Sequence, residues 1–121
     1  MENVRVLIVE DDDIIRDFLF DSLEMKGFAP TWARNGLEAL EILEKGEVDL
    51  VLSDVRMPEI DGIELSKQVA TKFPGVPVVL ITGIHAEERE RILQESGARN
   101  VLPKPLQIRQ LVEVLDAAAA S

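Results

Sequence analysis

Three carboxylates, one hydroxyl and one ammonium stand out because each comes directly after a short apolar run. Glu10 and Asp11 follow VRVLIV, Asp54 follows Leu50-Val51-Leu52-Ser53, Thr82 follows VPVVLI, and Lys104 closes the run from Asn100 to Pro103. Oxygen ligands with no Cys or His among them favour a hard ion, Mg2+ or Mn2+. Such an ion takes one or two carboxylates, keeps waters and completes its shell with phosphate oxygen. Three carboxylates packed together repel one another and call for a cation, while a lysine and a hydroxyl suit the remaining oxygens of a phosphoryl group. These residue types describe a metal-assisted phosphoryl site with a carboxylate as acceptor. The plainer reading is that Asp54 only opens a turn, since Asp is a common turn residue. Asp54 alone leaves that plainer reading ahead.

The elements that must position these groups follow from the apolar patterns. Val4 to Val9 reads as a strand buried on both faces. A helix carrying Ile15, Phe18, Leu19 and Leu23 as its apolar stripe follows, with Asp12 as N-cap, Asp13 solvated, and Gly27 just past its end. Phe28 to Ala33 is a weaker strand whose Pro30 marks an edge. After the Asn35-Gly36 turn, Leu37, Leu40 and Leu43 give a short amphipathic helix to Gly46. The strand ending at Asp54 comes next, and then a helix capped by Asp61 that carries Leu65, Val69 and Phe73 to Pro74-Gly75. Val76 to Ile81 is the third strongly apolar strand. Ala86 to Ser96 is a charged helix with little apolar content, mainly Ile92 and Leu93, and Glu87 and Arg91 can pair on its exposed face. Asn100 to Pro103 is a short edge strand. The last helix shows Ile108, Leu111, Val112 and Leu115 before fading into Ala117–Ala120.

Strand and helix thus alternate five times, which implies an α/β fold: a five-stranded parallel sheet covered by helices on both faces. Proline-bearing strands belong at the edges and the apolar ones in the middle. The order 2-1-3-4-5, the flavodoxin-like doubly wound (βα)5 sandwich, satisfies this. Its switch point lies between strands one and three, and that crevice receives Glu10, Asp11 and Asp54.

At 121 residues and with no linker or repeat, residues 1–121 read as one domain. A net charge of −10 argues against a nucleic-acid surface. No apolar run approaches the roughly 18 residues of a membrane span, no signal-peptide layout opens the chain, and no cysteine supports disulfides or a thiolate metal site. A soluble, cytoplasmic protein is expected. Residues 117–121 read either as a natural tail or as a cut before an output domain.

With these motifs in place, the chain resembles a response-regulator receiver domain of two-component signalling over almost its whole length. The resemblance rests on Glu10-Asp11, on Asp54-Val55-Arg56-Met57-Pro58 with Asp61-Gly62, on Thr82-Gly83 and on Lys104-Pro105, in that order. It implies that Asp54 accepts a phosphoryl group from the phosphohistidine of a sensor histidine kinase or phosphotransfer protein. It implies Mg2+ held by Asp11, Asp54 and the Arg56 backbone carbonyl, with Glu10 acting through water. Lys104 would pair with the phosphate, its bond to Pro105 often being cis in the family. Thr82 would bond a phosphoryl oxygen, and Gly83 suits the small position beside it. Arg56 and Ile84 stand where the family tunes hydrolysis, and predict a long-lived phosphoryl state. Phosphorylation-dependent homodimers through the charged helix, the last strand and the last helix are a further family property. The domain then catalyses only its own phosphorylation and dephosphorylation and is not otherwise an enzyme.

One position departs from that pattern. Many receivers carry an aromatic three residues before the lysine, and here it is Val101. The switch is then expected to move the Thr82 loop and the following helix without an aromatic reporter. Val101 keeps open the alternative, a receiver-like interaction domain that works without phosphorylation, against which the intact acidic, threonine and lysine positions count. A flavin protein or an aspartate-nucleophile phosphatase would need a cap or longer loops. His85, Trp32 and Met57 read as loop and packing residues.

Overall fold

Side chains alternate across a strand, so a run that is apolar at every position must be covered on both faces. A computed structural model describes residues 3–83 and 86–120. Strands and helices alternate through β1 (Arg5–Val9), α1 (Asp13–Met25), β2 (Ala29–Ala33), α2 (Gly36–Leu43), β3 (Leu50–Asp54), α3 (Gly62–Lys72), β4 (Val78–Thr82), α4 (Ala86–Ser96), β5 (Asn100–Pro103) and α5 (Ile108–Ala120). All strand pairs are parallel and the order is β2-β1-β3-β4-β5, as the apolar pattern predicts. Leu7, Val9, Val51, Leu80 and Val101 face a core shared with α2, α3 and α4. Val6, Ile8, Leu50, Leu52, Val79, Ile81 and Leu102 face the opposite core, shared with α1 and α5. Three layers result.

The edges and caps follow the expected chemistry. In β2 the Ala29 N–H donates to Val4 and the Ala33 carbonyl accepts from Glu10, so by the strand's period of two Pro30 turns its missing N–H to the open edge. Asp12 accepts from the Ile14 and Ile15 N–H groups, and Asp61 from Glu64 at 2.8 Å. Asn35, read only as a turn residue, caps α2 by accepting from Glu38. Gly27 takes a left-handed φ of 92° just beyond α1.

Several expectations are corrected. β2 starts at Ala29 because the Phe28 N–H closes α1 by donating to Leu23, and β4 starts at Val78 because the Val76 N–H closes the turn after α3 on Phe73. Phe18 is 54% exposed, because it lies about 100° around α1 from the buried Leu19. Leu37 is likewise exposed, since α2 buries Gly36, Ala39 and Leu43. On α4 the ion pair is Arg91–Glu95 at 3.9 Å rather than Glu87–Arg91. Asp13, though largely exposed, holds Arg16 at 2.7 Å, and that guanidinium stacks 4.0 Å over the Trp32 ring. The alanine-rich end does not fade: α5 runs to Ala120 and buries Ala118.

Candidate functional site

The register brings the polar strand ends to one rim. Val9 pairs with Ser53, Asp54 with Ile81, and Thr82 with Pro103. Glu10, Asp54, Thr82 and Lys104 therefore all stand at the carboxyl ends of neighbouring strands. In open α/β sheets this is where ligands bind.

Asp54 is 8% exposed and held from both sides. Lys104 Nζ donates to Oδ2 at 2.9 Å and the Arg56 N–H to Oδ1 at 3.2 Å. Asp54, Arg56, Gly83 and Lys104 line an open depression. Burial opposes the Lys104 charge, but the hydrogen bond and field of Asp54, helped by Glu10 and Asp11, outweigh it and hold the ammonium above its ordinary pKa. The Lys104 N–H donates to the Thr82 carbonyl at 2.8 Å, which fixes the end of β5 against β4. The Lys104–Pro105 bond is cis, as the resemblance implies. Thr82 is buried at the end of β4, and Gly83 faces open space.

Glu10 is buried, whereas Asp11 is exposed. Desolvation pushes the Glu10 carboxyl up to about 7, against the lowering effect of the Asp12 N–H that it accepts, with the Asp54 charge raising it further. The expectation of a ready cluster of three carboxylates is not met. Among the described residues no group of three His, Cys, Asp or Glu side chains is gathered to hold a metal; Lys104 holds the Asp54 carboxylate and Glu10 accepts from the Asp12 N–H. A Mg2+ shell needs only one or two carboxylates beside waters. The donor set is all oxygen, and a buried carboxyl whose charge is penalised by Asp54 is one that a cation would relieve. The residues fit a divalent ion on those grounds.

Two contributors were not singled out as functional by their residue type. A Cβ on Gly62 would collide with the Asp54 carbonyl and lie 2.8 Å from the Val55 Cα, so only glycine lets α3 start against the end of β3. The Asp61-Gly62 pair was its only signal. Ser53 is fully buried and donates to the Asp54 carbonyl at 2.9 Å; a hydroxyl in an apolar run was the clue. Val101 lies fully buried in the core that also holds Ile92 and Ala98. Met57 packs against that core, as expected. Ile84 and His85 lie outside the described residues.

A family model described as the response regulator receiver domain matches residues 6–116. The chain is 32% identical over 109 residues to "Response regulator MprA" of Mycobacterium sp. (strain KMS), covering 90% of this chain and 47% of that protein. It is 38% identical over 111 residues to "Sensor kinase CckA" of Brucella abortus (strain 2308), covering 90% of this chain and 12% of that one. It thus spans about half the length of the first relative and a small part of the second. Among solved structures, response regulator protein TrrA from Thermotoga maritima, in complex with Mg(2+)-BeF, superposes with a TM-score of 0.85 at 28% identity, covering 95% of this chain and 98% of that one. With the strand order, the rim of polar strand ends and a family match over most of its length, this chain belongs to the response regulator receiver domains of two-component signalling.

Proposed function

We propose that this chain is a phosphorylatable switch in which Asp54 accepts a phosphoryl group from the phosphohistidine of a partner kinase or phosphotransfer protein. The observation that carries this is the Asp54 carboxylate at the floor of an open depression, with Lys104 on one oxygen and the Arg56 N–H on the other. An Asp54 oxygen bonds to phosphorus as the P–N bond to the donor imidazole breaks. Lys104, already within 2.9 Å, follows the new negative charge onto a phosphoryl oxygen. The Thr82 hydroxyl takes another, drawing the start of the next loop inward. When bound, Mg2+ would neutralise charge between the phosphoryl oxygens and the protein; Asp11, Asp54 and the Arg56 carbonyl would hold it, with Glu10 acting through water. That TrrA was solved with Mg(2+)-BeF supports this assignment. Arg56 lines the same depression; it would screen the phosphate and lengthen the life of the phosphoryl state. The chemistry is confined to the domain's own aspartate, and its effect passes to an output or partner. Homodimerisation belongs to the same proposal.

Incubation with acetyl phosphate and Mg2+, followed by intact mass, tests it. Wild type gains one phosphoryl group and Asp54→Ala gains none. No gain on wild type overturns the reading and leaves the phosphorylation-independent interaction domain; an equal gain on both overturns Asp54 as the acceptor.

A further inference from the structure

We infer that Ser53 is a positioning residue for the acceptor, a role that rests on the function proposed for Asp54. In β3 it occupies a position surrounded by apolar side chains: it pairs with Val9 on one side and Leu80 on the other, and none of its surface is exposed. A buried hydroxyl in such a place is costly unless it is bonded. Ser53 donates to the Asp54 carbonyl at 2.9 Å, and its Oγ lies 3.8 Å from Met57 Sδ.

The Asp54 carbonyl needs such a donor. The ladder continues past it through the Val55 N–H, which donates to Ile81, while the start of α3 crowds the carbonyl so closely that Gly62 has no room for a Cβ. The Ser53 hydroxyl supplies the bond from within the strand and fixes the peptide plane between Asp54 and Val55. That peptide leads directly to Arg56, whose N–H holds Asp54 Oδ1. Met57, one residue further, is met by the same hydroxyl. Ser53 therefore sets the turn that aims the carboxylate and the Arg56 backbone, without touching the phosphoryl group itself.

Threonine and valine have the same shape, so Ser53→Thr and Ser53→Val differ only in the hydroxyl and share any packing cost; Ser53→Ala removes the hydroxyl without added bulk. The readouts are the Arg56 amide shift in the unphosphorylated protein and the rate of phosphoryl acceptance from acetyl phosphate. The Arg56 amide moves in Ser53→Ala and Ser53→Val but not in Ser53→Thr, and acceptance falls about five- to tenfold in the same two variants, the size of one hydrogen bond. An Arg56 amide unmoved in Ser53→Ala, or Val and Thr variants that behave alike, overturns the role of Ser53. If the amide moves as expected but wild type accepts no phosphoryl group, the phosphoacceptor reading falls and Ser53 only anchors the turn.

Discussion

Between β3 and α3, residues 55–57, 60 and 61 are held by hydrogen bonds or close packing, whereas α4 is exposed from Glu87 to Arg91 and buries Ile92 and Ser96, with Leu93 half-buried. In the first region Val55 donates to Ile81 and accepts from Gly62 at 2.7 Å. Arg56 donates to Asp54 and Met57 meets Ser53. Ile60 lies so close to Gly36 that a Cβ there would sit 3.1 Å from the Ile60 Cβ. In the second region Glu87 to Arg91 are all exposed, and a small cleft walled by Ser66, Val78, Gly97 and Arg99 opens near the end of α4. Chemistry needs an acceptor that does not wander, since misplacement costs rate. A response needs an element whose displacement breaks few contacts. Under the proposed function the two demands fall on neighbouring elements, the β3–α3 connection and α4.

The same substitution at the residue that follows each region should expose the contrast most strongly. Gly62→Ala forces a Cβ onto backbone that cannot yield, and a loss of roughly 3 kcal/mol in urea unfolding is expected, with disturbed amides at Asp54 and Arg56. Gly97→Ala meets nothing within 4 Å and carries only the cost of its φ of 71°, about 1 kcal/mol. Equal losses at the two sites would end the comparison.

The next effect is electrostatic. The buried Glu10 carboxyl binds its proton more tightly folded, near 7, than unfolded, near 4.5. The metal-free protein therefore gains stability as pH falls from about 7 to about 4.5 and loses it on the way up, by about 3 kcal/mol. Asp49 acts in the opposite direction: the Arg5 side-chain bond holds its pKa below 3.8, so its contribution is present above that value and fades in stronger acid. Urea unfolding across pH, with Glu10→Gln as control, should show the upper slope in wild type alone. A slope that survives Glu10→Gln would place its origin elsewhere.

The smallest effect lies at the seam between α3 and α4. The Ser66 hydroxyl is buried and has no hydrogen-bond partner among the described residues, so Ser66→Ala should stabilise the protein by up to about 1 kcal/mol. A clear loss on that change would mean that the Ser66 hydroxyl is bonded in solution.

The sequence carried the sheet and most of the rim well, for physical reasons. Doubly buried strands must be apolar at every position, and prolines can sit only where no ladder bond is needed, so strand order followed from VRVLIV, VPVVLI and Pro30. The caps Asp12 and Asp61 were legible because capping depends on residue type. Exposure of Phe18 and Leu37 was not, because a helical period gives an apolar face without saying how wide a strip the sheet will cover. Burial of Glu10 beside an exposed Asp11 was hidden for a similar reason: adjacent carboxylates at a strand end look alike until the neighbouring strands enclose one of them. Gly62 and Ser53 act through backbone proximity, which spacing does not encode.

The central proposal is that phosphorylation at Asp54 shifts α4, whose outer face is exposed from Glu87 to Arg91, without an aromatic relay at Val101. Backbone amide shifts measured before and after adding Mg2+ and beryllofluoride test it directly. The account predicts shifts at Asp54 to Arg56, where the mimic binds, and along α4 from Glu87 to Ser96. Binding signalled at Asp54 to Arg56 with α4 unchanged over its whole length would contradict it.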